Sequence, residues 1–265
     1  MKLSIAVAGK GGTGKTTLSA LLVRCLRDLG SGAILAVDAD PNSNLAEALG
    51  VEPGRPLAEI REQRSTPEGS PPGGMGRARA VDDEIQRAVT EADGFDLIAM
   101  GRGEGPRCYC YVNTLLRKSL DELTRNYQAI VLDNEAGMEH LSRRTTNCVD
   151  FLVTVANPTL PSLRAAKRIL ALSRELPVDI TQRAVLMNRA GADEPAEQIS
   201  LELAELDAMR LPDVPQDGAV EHAGAVGSSV FELSDRSPAL LAVRNVVQTL
   251  RATLSAASGN AETVL

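Results

Sequence analysis

Leu3-Ser4-Ile5-Ala6-Val7-Ala8-Gly9-Lys10-Gly11-Gly12-Thr13-Gly14-Lys15-Thr16-Thr17-Leu18 decides how the rest of the chain is read. A short apolar run leads into a loop of four glycines and two lysines, and residues 18–23 follow at a spacing that suits a helix. The order is strand, glycine loop, helix start. Glycines let consecutive backbone N–H groups turn inward, and the helix N-terminus adds its positive end, so the loop is shaped to cradle phosphates. Two templates fit the letters. Gly9, Gly11 and Gly14 satisfy G-x-G-x-x-G, with Asp38 at about the distance of a ribose-binding acid. The same window satisfies G-x-x-x-x-G-K-[ST], in which Lys15 reaches the β/γ-phosphates and the Thr16 hydroxyl ligates Mg²⁺. The second is preferred, because a triphosphate needs that lysine and that hydroxyl and a dinucleotide does not. Lysine is also scarce, five residues against 23 arginines, so two within one loop are informative.

The composition sets the class. At 265 residues the chain has room for one large α/β domain with a substantial core. Apolar residues are 43% of the total and aromatics only 2%, so that core must be built from Ala, Leu, Val and Ile. A formal charge of −7 argues against non-specific nucleic-acid binding and against attraction to an anionic membrane, both of which need a basic face. The first apolar run stops at the glycine loop, unlike a signal peptide, and no stretch approaches the ~18–20 apolar residues of a membrane span. A cytoplasmic protein is expected. Its four cysteines, at 25, 108, 110 and 148, are too few and too uneven for a disulfide scaffold. Cys25 and Cys148 read as small buried hydrophobes.

Along the chain, helix is expected at 15–29 and strand at 33–37, the latter ending in Asp38-Ala39-Asp40-Pro41. A short helix at 43–49 and further helices at 56–64 and 79–91 follow. Residues 65–76, with three prolines and four glycines, read as a mobile insertion rather than a domain boundary. Strands are expected at 95–100, 128–132, 151–156, 183–187 and near 209–211, and helices at 112–125, 161–175, 195–206 and 238–254. That alternation predicts a single doubly wound, mostly parallel sheet with helices on both faces, a P-loop NTPase domain over 1–255 with a flexible tail at 256–265. In the last helix Leu240, Val243, Val247, Leu250 and Leu254 form one stripe, expected to face the core.

Lys10 narrows the class. The form G-K-G-G-x-G-K-[ST] resembles the loop of the dimeric P-loop ATPases that include the nitrogenase iron protein, the Min and Par ATPases and metal-cluster assembly ATPases. The resemblance implies that Gly9, Gly11, Gly12, Thr13, Gly14, Lys15, Thr16 and Thr17 hold ATP. It also implies that Lys10 crosses a two-fold interface to the partner's phosphates. Asp38 would hold Mg²⁺ through water, and Asp40 would orient the attacking water. Asp133-Asn134-Glu135-Ala136-Gly137 matches D-x-x-x-G, in which Asp133 binds Mg²⁺ through water and the Gly137 N–H senses the γ-phosphate. Asn188 resembles the residue that contacts adenine; an asparagine in a turn is the plainer alternative.

Cys108-Tyr109-Cys110 separates members of this class. Two thiols one residue apart can face one ion, but a structural Zn²⁺ site wants about four ligands. A two-fold dimer sets the pair against its own copy, and thiolates favour Zn²⁺, Ni²⁺ or Cu⁺ over Mg²⁺. With the P-loop, Val37-Asp38-Ala39-Asp40-Pro41 and Glu135-Ala136-Gly137-Met138-Glu139-His140-Leu141, this segment resembles the CooC-type nickel-insertion ATPases over most of the chain. What the resemblance implies is a homodimer with ATP and Mg²⁺, Ni or Zn at Cys108 and Cys110, and a nickel-containing carbon monoxide dehydrogenase or acetyl-CoA synthase as client. No nucleic acid and no membrane enter that reading. His140 is either a further metal contact or, more commonly at such a place, a structural hydrogen-bonder. Two rivals remain, an ATP-gated iron–sulfur electron carrier and a Par/Min-type positioning ATPase.

Overall fold

Strand β1 (Leu3–Gly9) is buried along its whole length, as a strand paired on both edges and covered on both faces must be. It is central in a computed structural model that describes residues 2–40, 44–64, 74–101, 120–134, 148–191 and 196–262. The other strands are β2 (Ile34–Ala39), β3 (Thr90–Ala92), β4 (Phe95–Ala99), β5 (Ala129–Asn134), β6 (Cys148–Ala156), β7 (Asp179–Ala190), β8 (Met209–Arg210) and β9 (Val214–Pro215). They lie in the order β3-β4-β2-β5-β1-β6-β7-β8, with β9 beside β7. The β3–β4 pair is antiparallel, and the remaining described pairs are parallel.

The alternation of side chains sorts the sheet into two faces. Ile5, Val7, Ala36, Val131 and Val153 point to one face, where they meet α1 (Lys15–Asp28), α2 (Leu45–Leu49) and α8 (Pro238–Glu262). Ala6, Ala8, Leu35, Ile98, Leu132 and Leu152 point to the other, under α3 (Leu57–Arg64), α4 (Gly74–Ala88), the helical residues 120–124 and α5 (Leu160–Leu172). Helix α1 is sandwiched between the sheet and α8, so Leu18, Leu22, Cys25 and Leu26 are all buried and its apolar surface runs most of the way round. Leu240, Val243, Val247 and Leu250 are fully buried and Leu254 partly so; the predicted stripe of α8 faces the core. Two further helices, α6 (Glu197–Ala204) and α7 (Gly218–Val226), complete the described elements with a 3₁₀ turn at Val230–Glu232. Among the described residues no helix is long and apolar enough to cross a membrane.

The doubly wound sheet agrees with expectation, and several local readings need correction. The helix expected at 79–91 starts earlier, at Gly74, and ends at Ala88; residues 90–92 are instead an edge strand. Three residues of the expected insertion are therefore helical, while 65–73 lie outside the described residues. Of the helix expected at 112–125, residues 120–124 are described and are helical. β7 runs to twelve residues, beyond the five expected, because its first residues pair with β6 at an exposed margin that carries no apolar signature and its last pair with β9. Cys148 is exposed at the first position of β6, not buried. Cys25 is buried as expected, and burial pushes its thiol up to about 12.

Candidate functional site

Successive strands run outward from β1 in opposite directions, to β2 on one side and from β5 across to β6 on the other, so a crevice opens at the C-terminal end of β1. The glycine loop fills that crevice. Gly9 lies so close to β6 that a Cβ there would stand 2.6 Å from the Val155 carbonyl oxygen and 2.9 Å from Thr13 Oγ1. Gly14 has φ of 88° and would drive a Cβ into the Asn188 carboxamide. Both positions are closed to larger residues for steric reasons, and Gly14 for its backbone angle as well.

Helix α1 starts immediately afterwards with no side-chain cap and no acidic residue in its first turn. Its first N–H groups are therefore open to an anion. Lys15 is buried at 8% exposure, whereas Lys10, Gly11 and Gly12 are exposed. Thr13 is buried and its hydroxyl donates to the Lys10 carbonyl at 2.8 Å. Thr16 and Thr17 are half-buried at the start of the helix.

Asp38 and Asp133 end β2 and β5 as direct register partners, and both are buried. Asp38 accepts from the backbone N–H of Leu45 at 2.9 Å and of Asp40 at 3.1 Å. Asp133 accepts from Ser19 Oγ at 3.1 Å and is bonded by the Thr16 side chain, yet its Oδ2 is buried without a partner. Burial raises Asp38 to about 7, with the Asp133 charge adding to the effect, and raises Asp133 to about 6 against the pull of Thr16, Ser19 and Lys15. Two desolvated carboxylates and a hydroxyl beside a phosphate cradle have the chemistry of a Mg²⁺·nucleotide site, because the ion takes few protein ligands and completes its shell with phosphate oxygen and water. Among the described residues no group of three or more His, Cys, Asp or Glu is placed to hold a metal by itself. Asp40 is half-buried at the rim.

Beside the loop lies a pocket of 530 Å³ lined by Gly14, Thr17, Asn188, Pro215, Asp217 and Glu221, among others. Asn188 Nδ2 donates to the Thr13 carbonyl at 2.8 Å, so the residue expected at adenine touches both the loop and the pocket. Pro215, Asp217 and Glu221 escaped the sequence reading. Helix α7 was legible in principle, since Asp217 caps it through the Ala219 N–H and Gly227 closes it at φ of 71°. Cys108, Cys110, Gly137 and His140 lie outside the described residues.

The model of the CobQ/CobB/MinD/ParA nucleotide binding domain matches residues 4–230. An uncharacterized ATP-binding protein of Methanocaldococcus jannaschii is 42% identical, over 70% of this chain and 74% of its own. The carbon monoxide dehydrogenase accessory protein CooC of Rhodospirillum rubrum is 33% identical, over 91% of this chain and 95% of its own. In three dimensions the MinC:MinD cell division protein complex of Aquifex aeolicus aligns with a TM-score of 0.70 at 21% identity, covering 95% of this chain and 96% of the other.

Proposed function

Since the chain belongs to the CobQ/CobB/MinD/ParA nucleotide-binding family and is an ATPase, we propose that it is a Mg²⁺-dependent ATP-driven accessory factor that delivers nickel to a carbon monoxide dehydrogenase-type enzyme. The observation that carries the second half is the likeness to the Rhodospirillum rubrum accessory protein, which runs through 95% of that protein's length. The likeness to MinD is of fold alone and does not discriminate. A charge of −7 and a last helix whose apolar stripe is already buried weigh against a DNA or membrane positioning role.

For hydrolysis, the open N–H groups at the start of α1 hold the β-phosphate, and Lys15 supplies the point charge at the β/γ bridge. Thr16, Asp38 and Asp133 are the residues that would hold Mg²⁺, which when bound offsets the triphosphate's charge. Asp40 orients water at the γ-phosphate, and Asn188 contributes to the base pocket. Gly137 reports the γ-phosphate through its N–H. Lys10, exposed at the loop's tip, reaches a second copy's phosphates. Cys108 and Cys110 of two chains hold one nickel or zinc ion as cargo at the two-fold axis.

Two experiments test the two halves separately. Lys15→Ala should abolish ATP binding, and Asp40→Ala should retain binding while turnover falls roughly 10²-fold, the lower range for removing a base-like group. Normal hydrolysis by Asp40→Ala would remove Asp40 from the mechanism. For the cargo, anaerobic titration should find one ion per two chains, lost when both cysteines become serine while ATP binding persists. One ion per single chain, or unchanged binding in the double variant, would overturn the shared thiolate site.

A further inference from the structure

Arg189 is the single non-glycine among the described residues with a positive φ, 55°, in the left-handed region that side chains other than Gly, Asn and Asp rarely take. It sits where the pairing of β7 with β9 slips register between Asn188 and Ala190, which marks a bulge. In an unbroken strand, Asn188 and Arg189 would point to opposite faces. The left-handed kink turns both to one side, the re-aiming that bulges beside functional sites provide. Asn188 Nδ2 donates to the carbonyl of Thr13 at 2.8 Å, and the Arg189 guanidinium donates to the carbonyl of Gly12 at 3.3 Å. Asn188 Oδ1 in turn accepts the Arg189 backbone N–H at 3.0 Å, which ties the Asn188 side chain to the kinked backbone that carries Arg189.

The consequence for the loop follows from peptide geometry. A trans peptide holds its C=O and the following N–H in one plane and pointing in opposite directions. Gripping the Thr13 and Gly12 carbonyls from the β7 side therefore turns the N–H groups of Gly14 and Thr13 away from β7, toward the cradle. The Thr13 N–H is at present shared with the Lys10 carbonyl at 3.3 Å, a long bond easily exchanged for a phosphate oxygen. Without such a grip, a loop with Gly9, Gly11, Gly12 and Gly14 would have to give up its freedom at the moment of binding.

We propose that Arg189 is a positioning residue of the ATP site, a bulged arginine that with Asn188 clasps the outward carbonyls of Gly12 and Thr13 and so pre-orients the phosphate-binding N–H groups. This rests on the nucleotide reading of the loop and is independent of the metal cargo. The clasp acts on the part of the cradle that ATP and ADP share, so it contributes to affinity for both and little to the chemical step.

The test compares Arg189→Ala, Arg189→Lys and Arg189→Gly with the parent, measuring ATP and ADP dissociation constants, kcat, KM and thermal unfolding. Arg189→Ala should weaken ATP and ADP alike by roughly tenfold, the worth of one charge-assisted hydrogen bond, and raise KM with kcat little changed. Arg189→Lys keeps a donor on a long stem and should recover most of the affinity. Arg189→Gly relieves the backbone strain and should unfold at a higher temperature than the parent while binding nucleotide as poorly as Arg189→Ala. A structural role alone would not separate affinity from stability in that way. Parental affinity in Arg189→Ala, or affinity restored by glycine, would overturn the clasp while leaving the ATPase intact. Failure of the parent chain to bind ATP would overturn both.

Discussion

At the scale of single residues, Asp38 and Asp133 show how a site built from buried carboxylates costs the fold stability. Both are buried carboxylates held well above the ordinary value near 3.8, Asp38 at about 7 and Asp133 at about 6, chiefly by burial. Between those values and 3.8 the folded chain keeps protons that the unfolded chain has released. Stability is thus fully present below about pH 4 and is lost as pH rises toward 7, by roughly 3–4 kcal/mol from Asp38 alone at about 1.4 kcal/mol per unit. Urea unfolding of the nucleotide-free chain should show a midpoint that falls between pH 5 and 7.5, and Asp38→Asn should flatten the slope. An equal slope in that variant would mean that Asp38 ionises normally in the fold. The position of these residues was legible because carboxylates at strand ends of an α/β sheet lie on its ligand edge, while their Mg²⁺ role came from the family resemblance. Arg189 was not, since its conformation depends on a two-residue strand, β9, that leaves no periodic trace.

At the scale of elements, α1 must be fixed at both ends for its first turn to hold a phosphate. At its far end Arg24, only 4% exposed, donates to the carbonyls of Val230 and Leu233, the latter at 2.8 Å, and to Asp235 at 2.7 Å. One turn on, Arg27 lies over the Phe231 ring at 4.1 Å, and that ring stacks on Phe95 at 5.5 Å. The 3₁₀ turn is thus tied to α1 and, through Phe95, to the sheet. Replacing Arg24 by Met keeps the bulk and strands two buried carbonyls, so it should cost about 2–4 kcal/mol. Thermal unfolding reads this directly; a variant as stable as the parent would show that water reaches those carbonyls. None of this was visible beforehand, because an arginine on a predicted helix reads as solvated until its distant partners are known. The helices whose apolar residues recur at regular spacing, α1, α5 and α8, were placed from sequence to within a few residues at their starts. Where the pattern is weak, in the Gly- and Ala-rich α7 and at Thr90–Ala92, tertiary context decided.

At the scale of the whole molecule, the exposed Lys10 and the buried Lys15 divide one loop into an outward and an inward part. In the proposed mechanism Lys15 serves its own chain's phosphates and Lys10 serves its partner's. Lys10→Ala should therefore bind ATP with near-parental affinity yet sediment as a monomer where the parent with ATP sediments as a dimer. Dimerisation by Lys10→Ala equal to the parent's would remove Lys10 from the interface. The metal enters the same equilibrium. If ATP and the thiolate-bound ion both favour one closed dimer, each must raise the other's affinity by the same factor, because coupling between two equilibrium binding events is reciprocal. If they favour different arrangements, the factor falls below one and ATP drives the ion out toward its acceptor. Lys10→Ala isolates this link, since it leaves the ligands of both sites in place and removes only the ATP-driven dimer contact. In the parent, metal affinity measured with and without ATP should differ, and in Lys10→Ala the two values should coincide. A difference that survives the substitution would mean that the two sites communicate by a route that does not pass through Lys10.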